Sequence, residues 1–114
     1  MKDENANEVK NDSNIQINTM LRYVQIGESV FLEDDVYVVL SKTFIEKKFQ
    51  GFEIEITLAQ QSLKSTQFIS YDDMLQLIKV NDILNMEDRI RKVIRKTYFK
   101  SADSYSVGIS MGPV

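Results

Sequence analysis

Six positive side chains stand within a dozen residues near the end of this chain: Arg89, Arg91, Lys92, Arg95, Lys96 and Lys100, with no acid between residues 89 and 100. Residues 1–88 carry the opposite balance, eight basic against sixteen acidic side chains, so that the whole chain is left with a net charge of −3. Cations gathered in one short segment of an acidic molecule suit an anion: a carboxylate-rich protein surface or a phosphate backbone. General coating of nucleic acid calls for a basic domain, which this is not, although a local phosphate contact would be strongly salt-dependent. These six residues are the candidate partner- or anion-binding site.

Other chemistry is sparse. The chain has neither cysteine nor histidine, which removes thiol nucleophiles, disulfides, Cys/His zinc sites and Ser-His-Asp triads within it. Carboxylates remain. Glu53 and Glu55 stand two apart, as metal-holding carboxylates on one strand face would, but the apolar residues alternating with them make theirs the solvated face. Asp34-Asp35 fits a turn, and Asp72-Asp73 fits the first turn of a helix. The glycines at 27, 51, 108 and 112 have neither P-loop nor dinucleotide spacing. The reading is therefore non-enzymatic, with no metal and no cofactor. A carboxylate-based metal enzyme is the least favoured alternative. Tyr98 and Phe99, between Lys96 and Lys100, form the one basic-aromatic cluster and give slight support to base stacking.

The elements that must position these residues follow from periodicity. Residues 1–13 are polar and charged, with too little apolar area to offset ordering, and read as a disordered tail ahead of a single domain over 14–114. Ile15 to Ile26 reads as one or two strands. Val36 to Leu40 is apolar on both alternating faces and predicts a central strand. Gly51 supplies positive φ for a hairpin, after which Phe52, Ile54, Ile56 and Leu58 alternate with polar residues as a half-buried strand. Gln60 to Ser65 reads as a loop and Thr66 to Ile69 as a short strand. Phe31, Tyr37, Phe44, Phe52 and Phe68 are expected in the core.

Two helices are expected next. Ser70 caps the first, with Ile69 and Met74 as a hydrophobic staple and Tyr71, Met74, Leu75 and Ile78 on one face. The second, over 86–99 and capped at Asn85, buries Ile90, Val93 and Ile94 and turns the cations outward. There Arg91/Arg95 and Lys92/Lys96 form like-charge i,i+4 pairs, each unfavourable by a few tenths of a kcal/mol, that need compensation from the helix dipole, the acidic body or an external anion. Tyr105, Val107, Ile109 and Met111 then alternate as a last, edge strand. The chain reads as free of internal repeats.

The expected architecture is α+β: an antiparallel sheet of five or six strands with two helices from the C-terminal half packed on one face. No stretch is apolar enough to span a membrane, and the N-terminus is the reverse of a signal peptide, which together place the protein in the cytoplasm. The favoured function is a protein-binding module, such as a small inhibitor, immunity-type or adaptor protein, whose partner presents an acidic surface; nucleic-acid binding through residues 89–100 is the alternative. Oligomeric state is not legible.

Overall fold

A computed structural model describes residues 15–87 and 89–114. Helix α1 (Ile17–Tyr23) leads into a hairpin of β1 (Ser29–Leu32) and β2 (Asp35–Val38). Strands β3 (Ser41–Lys47), β4 (Gly51–Leu58) and β5 (Gln61–Lys64) follow, then α2 (Tyr71–Leu77), β6 (Ile83–Met86), β7 (Arg89–Ser101) and β8 (Ser104–Gly112). The fold is α+β. Six strands form one sheet in the order β5-β4-β3-β6-β7-β8, antiparallel throughout except where β3 and β6 run parallel, while β1 and β2 make a separate two-stranded ribbon. Among the described residues no helix is long and apolar enough to cross a membrane.

Alternation builds the core. Phe52, Ile54, Ile56 and Leu58 of β4 all point inward, joined by Phe44, Leu84 and Val93 from the neighbouring strands and by Leu21, Met74 and Ile78 from the helices. Gly51, at φ +117°, turns β3 into β4. The Ser70 hydroxyl accepts the Asp73 amide at 3.0 Å, capping α2, and the flanking Ile69 and Met74 are both buried. β8 is an edge strand, as its alternation implies.

Several expectations are overturned. The segment from Ile15 to Ile26 is not extended: it contains α1. Residues 61–64 pair as β5, whereas 66–69 provide only one bridge, between Ile69 and Phe52. Residues Val36 to Leu40 do not cross the centre of the sheet. Val36 and Val38 are exposed on β2 of the separate ribbon, Val39 just beyond it is buried, and Phe31 is 70% exposed, not core. Phe68 is also exposed, whereas Phe44 and Phe52 are buried as expected. The largest correction concerns residues 86–99, which form no helix: Asn85 and Met86 end β6, and the six cations sit on the thirteen-residue β7 or its start. Only one helix, α2, belongs to the C-terminal half. The expected tail over 1–13 lies outside the described residues.

The expectation of no internal repeat is also overturned. Helix α2 begins 54 residues after α1 (Tyr71 after Ile17), and β6 begins 54 after β1 (Ile83 after Ser29). The local bonds coincide at the same offset. The Val24 amide donates to the Met20 carbonyl as Ile78 donates to Met74, both at 2.9 Å. Gly27 and Val39 bond as Asn81 and Val93 do, again at 2.9 Å, and Gly27 and Asn81 share a positive φ of 91° and 81°. The Glu28 carboxylate accepts the Gln25 amide as the Asp82 carboxylate accepts that of Lys79. Two modules of the same plan therefore stand in series, each a helix, a short hairpin and a longer hairpin. The longer hairpins, β3–β4 and β7–β8, differ by one residue in the turn. The second module joins the first through parallel pairing of Thr43 with Ile83, Phe44 with Leu84 and Ile45 with Asn85.

Candidate functional site: a cationic strand

An extended strand sends successive side chains to opposite faces, so β7 divides the cations among different surroundings. Arg89 and Arg91 stand opposite Met86 and Leu84 of β6. With Met111 these four line a groove of about 300 Å³ that combines apolar side chains with two arginines. Lys92, half-buried, lies between Ile83 and Gly112. A bulge between Val93 and Arg95 resets the alternation, leaving Arg95 exposed opposite Ser110. Beyond it Lys96 turns back to the helix, where its ammonium donates to the Gln76 and Ile78 carbonyls at 2.9 Å each and lies 5.5 Å from the Tyr98 ring centre. Lys100 donates to the Ala102 carbonyl in the β7–β8 turn.

Lys96 is thus explained by the fold. Its counterpart in the first module, Lys42, donates at 2.8 Å to the carbonyls of Arg22 and Val24 at the end of α1. In both modules an ammonium satisfies the carbonyls that a helix leaves unpaired at its C-terminus, where the dipole also favours positive charge. The other five have no such precedent: the first module carries Asp35, Tyr37, Val38, Ser41 and Glu46 where the second has Arg89, Arg91, Lys92, Arg95 and Lys100. Among the described residues none of the six cations is ion-paired. The ion pair described there joins Lys47 to Glu53 at 3.6 Å.

The carboxylates do not assemble a second site. Among the described residues no group of His, Cys, Asp or Glu is arranged to hold a metal ion. Glu53 pairs with Lys47, and its buried Oε1 has no hydrogen-bond partner. Asp72 and Asp73 lie in the first turn of α2, and Asp34, at positive φ, lies in the turn of the β1–β2 hairpin.

Two buried charges escaped sequence reasoning. Lys42 and Asp82 are each only 2% exposed, on β3 and just ahead of β6, at the joint between the modules. Burial lowers the Lys42 ammonium from 10.5 to about 8, offset in part by the nearby charges of Asp82 and Glu28. Burial raises the Asp82 carboxyl from 3.8 to about 6, opposed by the Lys79 amide and by Lys42, Lys79 and Lys96. The available signal was parity: Lys42 is in phase with Phe44, an inward residue. Comparisons with protein-family models, with curated proteins and with solved structures find no match to this chain.

Proposed function

We propose that this protein is a non-enzymatic protein-binding module that engages an acidic partner surface through the β7–β8 hairpin. One observation carries the reading: Arg89, Arg91, Lys92, Arg95 and Lys100 stand where a module of the same backbone plan has acidic or neutral residues, and no described carboxylate pairs with them. Cations that the fold does not require, standing unpaired on a long strand, favour an external anion. Exposed Ile90, Ile94, Phe99 and Tyr105 on the same hairpin add apolar area that desolvation on binding would exploit.

Strand geometry favours protein over nucleic acid as the partner. The cations fall on alternating faces and Lys96 is committed to α2, so no single positive track follows a phosphate backbone. Arg91→Glu with Arg95→Glu tests the reading, since both side chains are exposed and the reversal is expected to leave the circular dichroism unchanged. Partners that co-purify with the wild type, identified by mass spectrometry, should be lost from this variant. Retention of the same partners would remove the hairpin as the binding surface. A titration with oligonucleotides at low salt should show no saturable binding, and saturable binding that weakens with salt would give the surface to nucleic acid instead.

A further inference from the structure

We infer that the acidic partner of this hairpin is a second copy of the same chain, docked head to tail by a repetition of the joint that already links the two modules. The inference rests on the protein-binding reading and gives it a partner. Inside the molecule, the outer edge of β3 receives β6 in parallel. By the repeat, the distal half of β7 is the equivalent of β3, and β1 is the equivalent of β6. Both are left open. Beyond Val93, β7 pairs only with β8 among the described residues, and β1 pairs only with β2. Each molecule therefore presents the tail half of the joint at one end and the head half at the other. Shifting the internal register by one module gives the expected pairing: Thr97 with Ser29, Tyr98 with Val30 and Phe99 with Phe31 of the next copy.

Burial at matching positions agrees. Phe44 is 0% exposed within the joint, whereas its counterpart Tyr98 is 54% exposed; Leu84 is buried, whereas its counterpart Val30 is only half-buried. The strand beneath the helix repeats the pattern. Phe52, on which Tyr71 of α2 packs with ring centres 6.2 Å apart, is 2% exposed, whereas its counterpart Tyr105 of β8 is 55% exposed. Phe44, Leu84 and Phe52 are covered in the middle of the molecule, and their counterparts at the two ends are less so.

Charge separates the ends in the same sense. The head carries Glu28, Glu33, Asp34 and Asp35, and the distal half of β7 carries Arg95, Lys96 and Lys100. The buried pair at the internal joint is Lys42 with Asp82, each of which feels the other's charge. Its equivalent between copies is Lys96 of the tail with Glu28 of the head. A head-to-tail contact is heterologous, so its repetition generates a ring where the rotation closes and a fibre where it does not.

Analytical ultracentrifugation of the wild-type chain over a concentration range should show mass-action assembly beyond the monomer. The decisive samples are a head-blocked variant, Val30→Asp with Phe31→Asp, and a tail-blocked variant, Tyr98→Asp with Phe99→Asp. Each should be monomeric alone, because one half of the joint is missing from every copy. Mixed, they should form a dimer that grows no further. The chain lacks cysteine, so Val30→Cys mixed with Tyr98→Cys reports the register directly. A disulfide-linked heterodimer is expected to exceed either homodimer, whereas Glu55→Cys in place of Tyr98→Cys should give none in excess. A wild type that stays monomeric at every concentration, or blocked variants that still self-associate, would overturn the inference. If instead the wild type is monomeric while Arg91→Glu with Arg95→Glu still loses a co-purifying protein, the protein-binding reading stands and only the self-docking falls.

Discussion

Lys42 and Asp82 are a lysine and an aspartate held almost wholly out of water, and their displaced titrations make stability depend on pH in opposite ways. Asp82 binds its proton more tightly folded than unfolded, with a carboxyl raised from 3.8 to about 6. Its favourable contribution is fully present below about pH 4 and is lost as pH rises through 6, because the folded state then carries a buried charge. Lys42, lowered to about 8, imposes its cost below that pH and releases it as pH rises toward 10.5. Replacing Asp82 by Asn keeps an oxygen for the Lys79 amide and removes the titration. In urea unfolding, Asp82→Asn should gain about 2–3 kcal/mol relative to the wild type between pH 4 and pH 7. A difference between the two proteins that is flat over that range would show that Asp82 titrates normally. Composition gives no warning of these residues, since it records charge and not the direction in which a side chain points; only the parity of Lys42 with Phe44 does.

At the scale of elements, the sequence was legible wherever one periodicity ran unbroken. β4, its Gly51 turn, α2 with its Ser70 cap, and the edge strand β8 all follow from local pattern. β7 did not, and its bulge is the reason. An extra residue between Val93 and Arg95 changes the parity of the strand, so that Ile90, Val93, Ile94 and Thr97 mimic helical spacing. Two signals pointed the other way. β-branched and aromatic residues dominate the apolar positions of the segment, and the like-charge i,i+4 pairs that strain a helix lie about 13 Å apart along a strand. The β1–β2 ribbon was misplaced for a different reason: an apolar run permits burial on both faces but does not supply the covering neighbours, and here Val39 is buried while Val36, Val38 and Leu40 are exposed.

Turns provide a test at the same scale. At Gly51 a Cβ would run into the Ile69 carbonyl oxygen, at the bridge that aligns Phe52, and the φ of +117° excludes most side chains. Gly51→Ala should cost about 3 kcal/mol in chemical unfolding. Gly27 also has positive φ but open space around it, and the matching residue of the second module is Asn81. Gly27→Asn should therefore cost less than about 1 kcal/mol, because Asn tolerates this left-handed conformation. Equal losses for the two variants would mean that φ alone governs both turns and that the crowding at Gly51 is immaterial.

The whole molecule is best understood as two modules that have kept their backbone plan and diverged at their surfaces. From helix α1 onward seven identities mark the offset: Met20 and Met74, Leu21 and Leu75, Glu33 and Glu87, Asp34 and Asp88, Val39 and Val93, Lys42 and Lys96, Thr43 and Thr97. They are scattered, and the intervening positions differ in charge, so no contiguous stretch announces a repeat. The hydrogen bonds do. The same divergence that hides the repeat makes the two ends electrostatically complementary, and this leads to a prediction on the assembled protein. If facing charges contribute to the joint between copies, raising salt from about 0.1 M to about 1 M shortens the screening length from about 10 Å to about 3 Å and should weaken association at least fivefold. Charge exchange separates this from a general salt effect. A head variant, Asp34→Lys with Asp35→Lys, and a tail variant, Arg95→Glu with Lys100→Glu, should each associate less well with themselves than the wild type does. Mixed with each other they should recover, because the reversed head again meets a tail of opposite sign. Recovery with reversed polarity requires that these two clusters face one another, whereas mixtures no stronger than their parents would mean that the ends meet through their apolar edges alone.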